Sequence, residues 1–212
     1  MAIPQNTSFE SSKFPAGFVA EGMAKTRRSF KSPDGPMVDP VAGSRFLCLD
    51  DPEAVNGFRM RLDPNAAKRF DGLRATSPRS GVPTLAADGA RLVYRNAKLL
   101  KGTRLSFAWH FMVWGDMPWN DFAAFEAIPD APAAYGVSRY VLCDLAELAL
   151  AGRRASDWRI ATWTLNQDFA GTLIWTVANG QEVTDAAITV CADEAFANPP
   201  ALLIDDIRVI KP

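Results

Sequence analysis

One short stretch of the chain gathers the side chains that could hold a polyol. Trp114-Gly115-Asp116-Met117-Pro118-Trp119-Asn120-Asp121 sets two indoles beside two carboxylates and a carboxamide. Aromatic faces stack on the C–H-rich faces of sugar rings, and a few fixed polar groups in an otherwise apolar site orient the ligand. Trp114, Asp116, Trp119, Asn120 and Asp121 are therefore the candidate ligand-binding residues, and a cation at Asp116 and Asp121 is a lesser variant. The competing reading places Trp119 in the core and uses Asn120 and Asp121 to satisfy the amides of a turn.

No catalytic set can be read beside this group. His110 is the only histidine, so it cannot build a zinc site at the cysteine spacing present. No Ser or Cys nucleophile is evidently placed against it, so it is read as structural. Asp50-Asp51 and Asp193-Glu194 are adjacent acids, whereas a glycosidase pair must face each other across a cleft at about 5–9.5 Å. Cys48, Cys143 and Cys191 have no metal-type spacing and read as reduced, buried or half-buried thiols, with a disulfide between two of them as the alternative. The expectation is a protein that is not an enzyme.

The elements that must position these residues read as strands. Leu105, Phe107, Trp109, Phe111 and Val113 share one face of a strand, and Ser106, Ala108, His110 and Met112 the other; a period of two is the sheet signature. Asp121 to Ile128 continues as a partner strand, which makes Gly115 to Asn120 a hairpin loop or a corner between sheets. Further strands are expected at Phe18–Ala20, Ser44–Leu49, Asn56–Arg61, Arg91–Tyr94, Tyr140–Cys143, Trp158–Leu165, Gly171–Val177, Ala186–Cys191 and Leu202–Ile210. Asn179-Gly180 is expected to end one strand, and Asp63 to Ala90 is turn-rich. Asp144 to Gly152 is the helix candidate, with Asp144 as N-cap and Gly152 as stop.

Short strands separated by turns, with no βαβ alternation, argue for an all-β sandwich or barrel. A length of 212 residues fits one large β domain, and a hydrophobic share of 48% supplies a core. The formal charge of -1 gives no global field for nucleic acid. The basic stretch Arg59 to Arg104 reads as a solvated face or an oligomer contact. No apolar run approaches the roughly 20 residues that span a bilayer.

The two ends of the chain resemble a known family. Asn6-Thr7-Ser8-Phe9-Glu10, Gly17-Phe18 and Gly22 at the start, with Leu203-Ile204-Asp205-Asp206-Ile207 at the end, resemble the bracketing strands of galactose-binding-like jelly rolls, which include many carbohydrate-binding modules. Leu105-Ser106-Phe107-Ala108-Trp109, Trp119-Asn120-Asp121-Phe122-Ala123 and the stretch from Gly171 to Asn179 resemble elements of jelly-roll domains in bacterial surface-sorted exported proteins. The resemblance implies that the first and last strands are neighbours and that Glu10 and Asp205 hold a structural calcium. Calcium takes about six to eight oxygen ligands, and of the acids Asp205 and Asp206 only one can face such a site.

The expected protein is thus a single antiparallel jelly-roll β-sandwich over residues 1–212, with one or two short helices. Its expected function is that of a non-catalytic binding module, for carbohydrate, with calcium as a structural cofactor. The alternative is a structural or assembly protein, homo-oligomeric and phage- or surface-associated, without a small ligand. Neither nucleic acid nor a membrane span is expected. The chain as given carries no signal peptide and reads as soluble. It would be extracellular or at the cell surface if a leader was removed, and cytoplasmic otherwise.

Overall fold

A computed structural model describes residues 6–7, 9–11, 14–49, 70, 73–131, 136–183 and 200–212. In chain order the strands are β1 (Asn6–Thr7), β2 (Phe18–Glu21), β3 (Ala24–Arg27), β4 (Phe30–Lys31), β5 (Met37–Val38), β6 (Phe46–Leu49) and β7 (Arg74–Thr76). There follow β8 (Pro83–Leu99), β9 (Arg104–Met112), β10 (Phe122–Pro129), β11 (Ser138–Asp144), helix α1 (Leu145–Leu150), β12 (Arg159–Thr164), β13 (Phe169–Glu182) and β14 (Ala201–Ile210).

Among the described residues these strands form two six-stranded antiparallel sheets and a separate two-stranded β4–β5 hairpin. The first runs β12-β9-β14-β6-β3 with β1 on β14; the second runs β11-β10-β13-β8-β2 with β7 on β8. From β8 onward the chain changes sheet at every connection except that between β10 and β11, the winding of a jelly-roll sandwich. The segment from Gly115 to Asn120 is therefore a corner between sheets, since β9 and β10 lie in different ones. The terminal strands are neighbours as expected, with Asn6 opposite Arg208 and Thr7 opposite Ile207.

The core follows from the alternation in β9. Leu105, Phe107, Trp109 and Phe111 point between the sheets and pack with Tyr94, Phe125, Leu173 and Trp175. The other face of the same strand is also covered. Met112 joins Phe46, Cys48 and Leu203 beneath Phe30 and Val38 of the β4–β5 hairpin and Ala155. A strap at 154–156 lies along β9, where the Arg154 carbonyl accepts from the Val113 amide and the Ser156 amide donates to the Phe111 carbonyl, both at 2.9 Å. The outer face reads as less apolar than the inner one, yet its Ala108, His110 and Met112 are buried under this cover of loops.

Two expectations change. The stretch from Asp63 to Ala90 holds, within its described part, β7 and the start of the long β8, which pairs with β13, β2 and β7. Asp88-Gly89 looks like a turn, but Gly89 (φ 154°) lies in the ladder, where a Cβ would run into the Val177 carbonyl. Likewise Asn179-Gly180 does not end β13; the two residues continue the ladder opposite Asp88 and Ala86, at a register shift where β8 carries one extra residue. The expected strands Asn56–Arg61 and Ala186–Cys191, with Cys191, lie outside the described residues. Cys48 and Cys143 are buried, and Cys143 is a free thiol.

Helix α1 forms where the sequence places it. The Asp144 carboxylate accepts from the Glu147 amide at 2.8 Å, and Gly152 (φ 65°) ends the turn. The helix follows edge strand β11 and lies beside the start of edge strand β12. Glu147 accepts from Arg159 of β12 at 2.9 Å and from Arg79 at 2.6 Å. Burial raises the pKa of Glu147, but the two guanidinium groups outweigh it and hold the carboxyl below its ordinary value. The ion bridge ties the edge of one sheet to that of the other.

Candidate functional site

The five residues expected to bind a ligand fall into two groups. Asn120 is fully buried: its Nδ2 donates to Thr84 Oγ1 at 2.6 Å and to Asp144 Oδ2 at 3.2 Å, and its Oδ1 accepts from the Ala146 amide at 2.9 Å. Asp121 is also buried and accepts from the Gly180 amide at 3.1 Å. These two side chains fasten the corner to α1, β8 and β13, and they do not face solvent. Trp114 is half-buried, edge-on to Phe30 at 6.0 Å. Asp116 is exposed and paired with Arg154 at 2.6 Å, while the same guanidinium donates to the carbonyl of Gly115 at 2.7 Å. Trp119 is half-buried. The cavity beside Asp116 holds about 200 Å³, below the roughly 300–1,000 Å³ of ligand pockets.

Glu10 and Asp205 do converge on one loop. Asp205 is fully buried; its Oδ2 accepts from the amides of Val41 and Ala42, both at 2.9 Å, and its Oδ1 from the Asp206 amide at 2.8 Å. Burial raises the Asp205 pKa, and the three amides pull it back in part. Glu10 accepts from the Ser44 amide at 3.0 Å and from the Ser44 hydroxyl at 2.6 Å; the hydroxyl bond is the main cause of its lowered pKa. Gly43 lies against the Glu10 carboxylate where a Cβ would collide. The donors are oxygen only, which suits a hard cation. As placed, the carboxylates hold backbone N–H groups, and no cluster of three acidic, His or Cys side chains stands ready for a metal among the described residues.

A larger concavity than the one beside Asp116 lies elsewhere, in a place the sequence did not indicate. Edge strands β11 and β12 belong to opposite sheets, with α1 at the Asp144 and Arg159 ends and an open cleft of about 650 Å³ at the other ends. Each wall carries an aromatic ring. Tyr140 of β11, 47% exposed, stacks on Phe125 at 6.3 Å and 16°. Trp163 of β12 packs on the same Phe125 at 5.9 Å and edge-on to Phe169 at 5.2 Å. One buried ring, Phe125, thus backs both walls.

The rim is polar and braced. Asn166, Gln167 and Asp168 form the exposed turn between β12 and β13, with Asp130 and Ser138 on the β10–β11 side. Asp168 Oδ1 accepts from the Lys101 amide at 2.7 Å. Gly102 donates to the Leu165 carbonyl at 2.8 Å, and the Leu165 amide donates to the Thr103 carbonyl at 3.0 Å, so two turns are laced together. The Asp130 amide donates to the Ala170 carbonyl at 2.9 Å. The floor is apolar, from Leu99, Ala127, Leu165 and Phe169. The volume, aromatic walls and few rim polar groups are those of a small-ligand site. The available signal was Trp163 followed by Asn166-Gln167-Asp168, the same residue types as the Trp119-Asn120-Asp121 group.

No protein-family model and no curated protein matches this chain. Solved structures similar to it include TmCBM61 in complex with β-1,4-galactotriose, at 11% identity over 97% of this chain and 94% of that one, TM-score 0.40. They also include the N-terminal cellulose-binding domain of Cellulomonas fimi β-1,4-glucanase C, at 13% identity over 100% and 97%, TM-score 0.40. A cleaved adhesin domain of the Lys-gingipain of Porphyromonas gingivalis matches at 13% identity over 98% and 97%, TM-score 0.40. Among the described residues no helix is long and apolar enough to cross a membrane.

Proposed function

We propose that this protein is a non-catalytic carbohydrate-binding module whose binding site is the cleft between the far ends of β11 and β12. The observation that carries this reading is the pair of rings, Tyr140 and Trp163, both seated on Phe125 and flanking a cleft of about 650 Å³ with Asn166, Gln167 and Asp168 on its rim. Rings supply stacking faces, and carboxamides and carboxylates supply paired donors and acceptors for hydroxyls. A braced rim lowers the cost of ordering the site on binding.

A glycan array followed by calorimetric titration tests the site. Trp163→Ala is expected to weaken binding at least tenfold, and Trp119→Ala to leave it within twofold. Loss on Trp119→Ala alone would move the site to the corner loop; a folded protein that binds no glycan would end the reading. A stable multimer in light scattering, without sugar-dependent melting, would favour the assembly role instead.

Calcium at Glu10 and Asp205 belongs to the same proposal, supported by the convergence of both carboxylates on the loop 41–44. An ion there would fix the loop to the first and last strands. Chelator is expected to lower the melting temperature, because a ligand of the native state stabilises it by mass action. A melting curve unmoved by chelator and by added calcium would remove the ion from the reading.

A further inference from the structure

We infer, resting on the reading of the cleft as a glycan site, that it selects uncharged sugars and rejects uronic acids. Among the described residues, the charged groups lining it are two carboxylates, Asp130 and Asp168, and one ammonium, Lys98. Asp168 is held in place, since its Oδ1 takes the Lys101 amide at 2.7 Å. That contact uses the backbone of Lys101, whose side chain is not part of the lining. The Asp130 backbone is fastened to β13 by its amide bond to the Ala170 carbonyl at 2.9 Å. The remaining polar groups, Ser138, Thr164, Asn166 and Gln167, are neutral and suit hydroxyls as donors or acceptors.

A sugar ring on Trp163 or Tyr140 brings its substituents to this rim. A hydroxymethyl group meets neutral partners and carboxylates that accept its O–H. A uronate carboxylate meets two like charges and one opposite charge, and it donates nothing. Selectivity then comes from a repulsive element as much as from the attractive contacts. The chain's formal charge of -1 is too small to produce this discrimination at a distance, so it must be local and screened by salt.

The test is calorimetric titration of neutral β-1,4-linked hexose and pentose oligomers against oligogalacturonates of matched length, in chelator so that no cation bridges carboxylates. Neutral oligomers are expected to bind at least tenfold tighter at low salt, and the ratio is expected to shrink as salt rises. The pair Asp130→Asn with Asp168→Asn is expected to cut the ratio at least fivefold; Asn at 168 still accepts from the Lys101 amide. Lys98→Ala is expected to widen it. Uronates that bind as tightly as neutral oligomers would overturn the inference, as would a double variant with unchanged melting temperature and an unchanged ratio. If no oligosaccharide of either class binds, and Trp163→Ala changes nothing, the glycan reading itself falls and takes the inference with it.

Discussion

The solitary histidine permits a clean test of how the sandwich depends on pH. His110 lies on the outer face of β9, 5% exposed, opposite Leu203 and with its ring 5.6 Å from that of Trp158. Neither ring nitrogen has a hydrogen-bond partner among the described residues. Burial is the main cause that lowers its pKa from 6.5 to about 4; Asp157 and Asp34 attract the proton and Arg153 repels it. In the unfolded chain the imidazole protonates near pH 6.5, so between that value and about 4 the unfolded state binds the extra proton. Stability from this group is therefore complete above about pH 6.5 and falls away as the pH drops towards 4. At about 1.36 kcal/mol per pH unit, the full gap is worth roughly 3 kcal/mol, of which roughly 2.5 is lost by pH 4.5.

The perturbation is His110→Phe, which keeps a ring beside Trp158 and removes the titration. Urea unfolding of both proteins at half-unit intervals from pH 7.5 to 4.5 gives two stability curves. Carboxylates remote from the imidazole titrate alike in both proteins and cancel in the difference. The wild-type curve is expected to fall below the variant's by roughly 2.5 kcal/mol over this span, equivalent to about 5–10 °C in melting temperature for a chain of this size. Parallel curves would show that the imidazole meets water or an acceptor in the folded protein and refute the reasoning. A difference of opposite sign would mean that the folded state stabilises the imidazolium.

Asn120→Ala removes three hydrogen bonds and strands the Ala146 amide, so it is expected to cost about 3 kcal/mol by denaturant titration. Glycan affinity at the cleft should not change at a temperature where the variant is folded. Gly89→Ala sets a side chain at φ 154° against the Val177 carbonyl and is expected to cost at least about 3 kcal/mol, or to leave no soluble protein; a melting temperature within 2 °C of wild type would contradict the close pairing of β8 with β13.

Much of the sandwich was legible because its strands alternate. β9 and β12 show two distinct faces directly, and Asp144 and Gly152 mark both ends of α1. β8 was less legible, since Ala86-Ala87-Asp88-Gly89-Ala90 offers small residues and an apparent turn where the ladder needs a close backbone approach. The corner loop held the right residue types for a site, but Asn120 and Asp121 serve equally well as internal fasteners, and composition alone cannot separate those uses. The cleft was hidden for a different reason. Tyr140, Trp163 and Asn166 become neighbours only because two edge strands of separate sheets end side by side, a fact of winding order that no local window contains.

The cleft sits on a platform that its rim does not support. Lys98, Asp130, Ser138 and the turn 166–168 supply polar groups, while Phe125 and the floor residues Leu99, Ala127 and Leu165 belong to the core of the sandwich. The exposed side chains of the rim, at 130 and 166–167, could therefore be varied to display new specificities, with the braced backbone and the core beneath left intact.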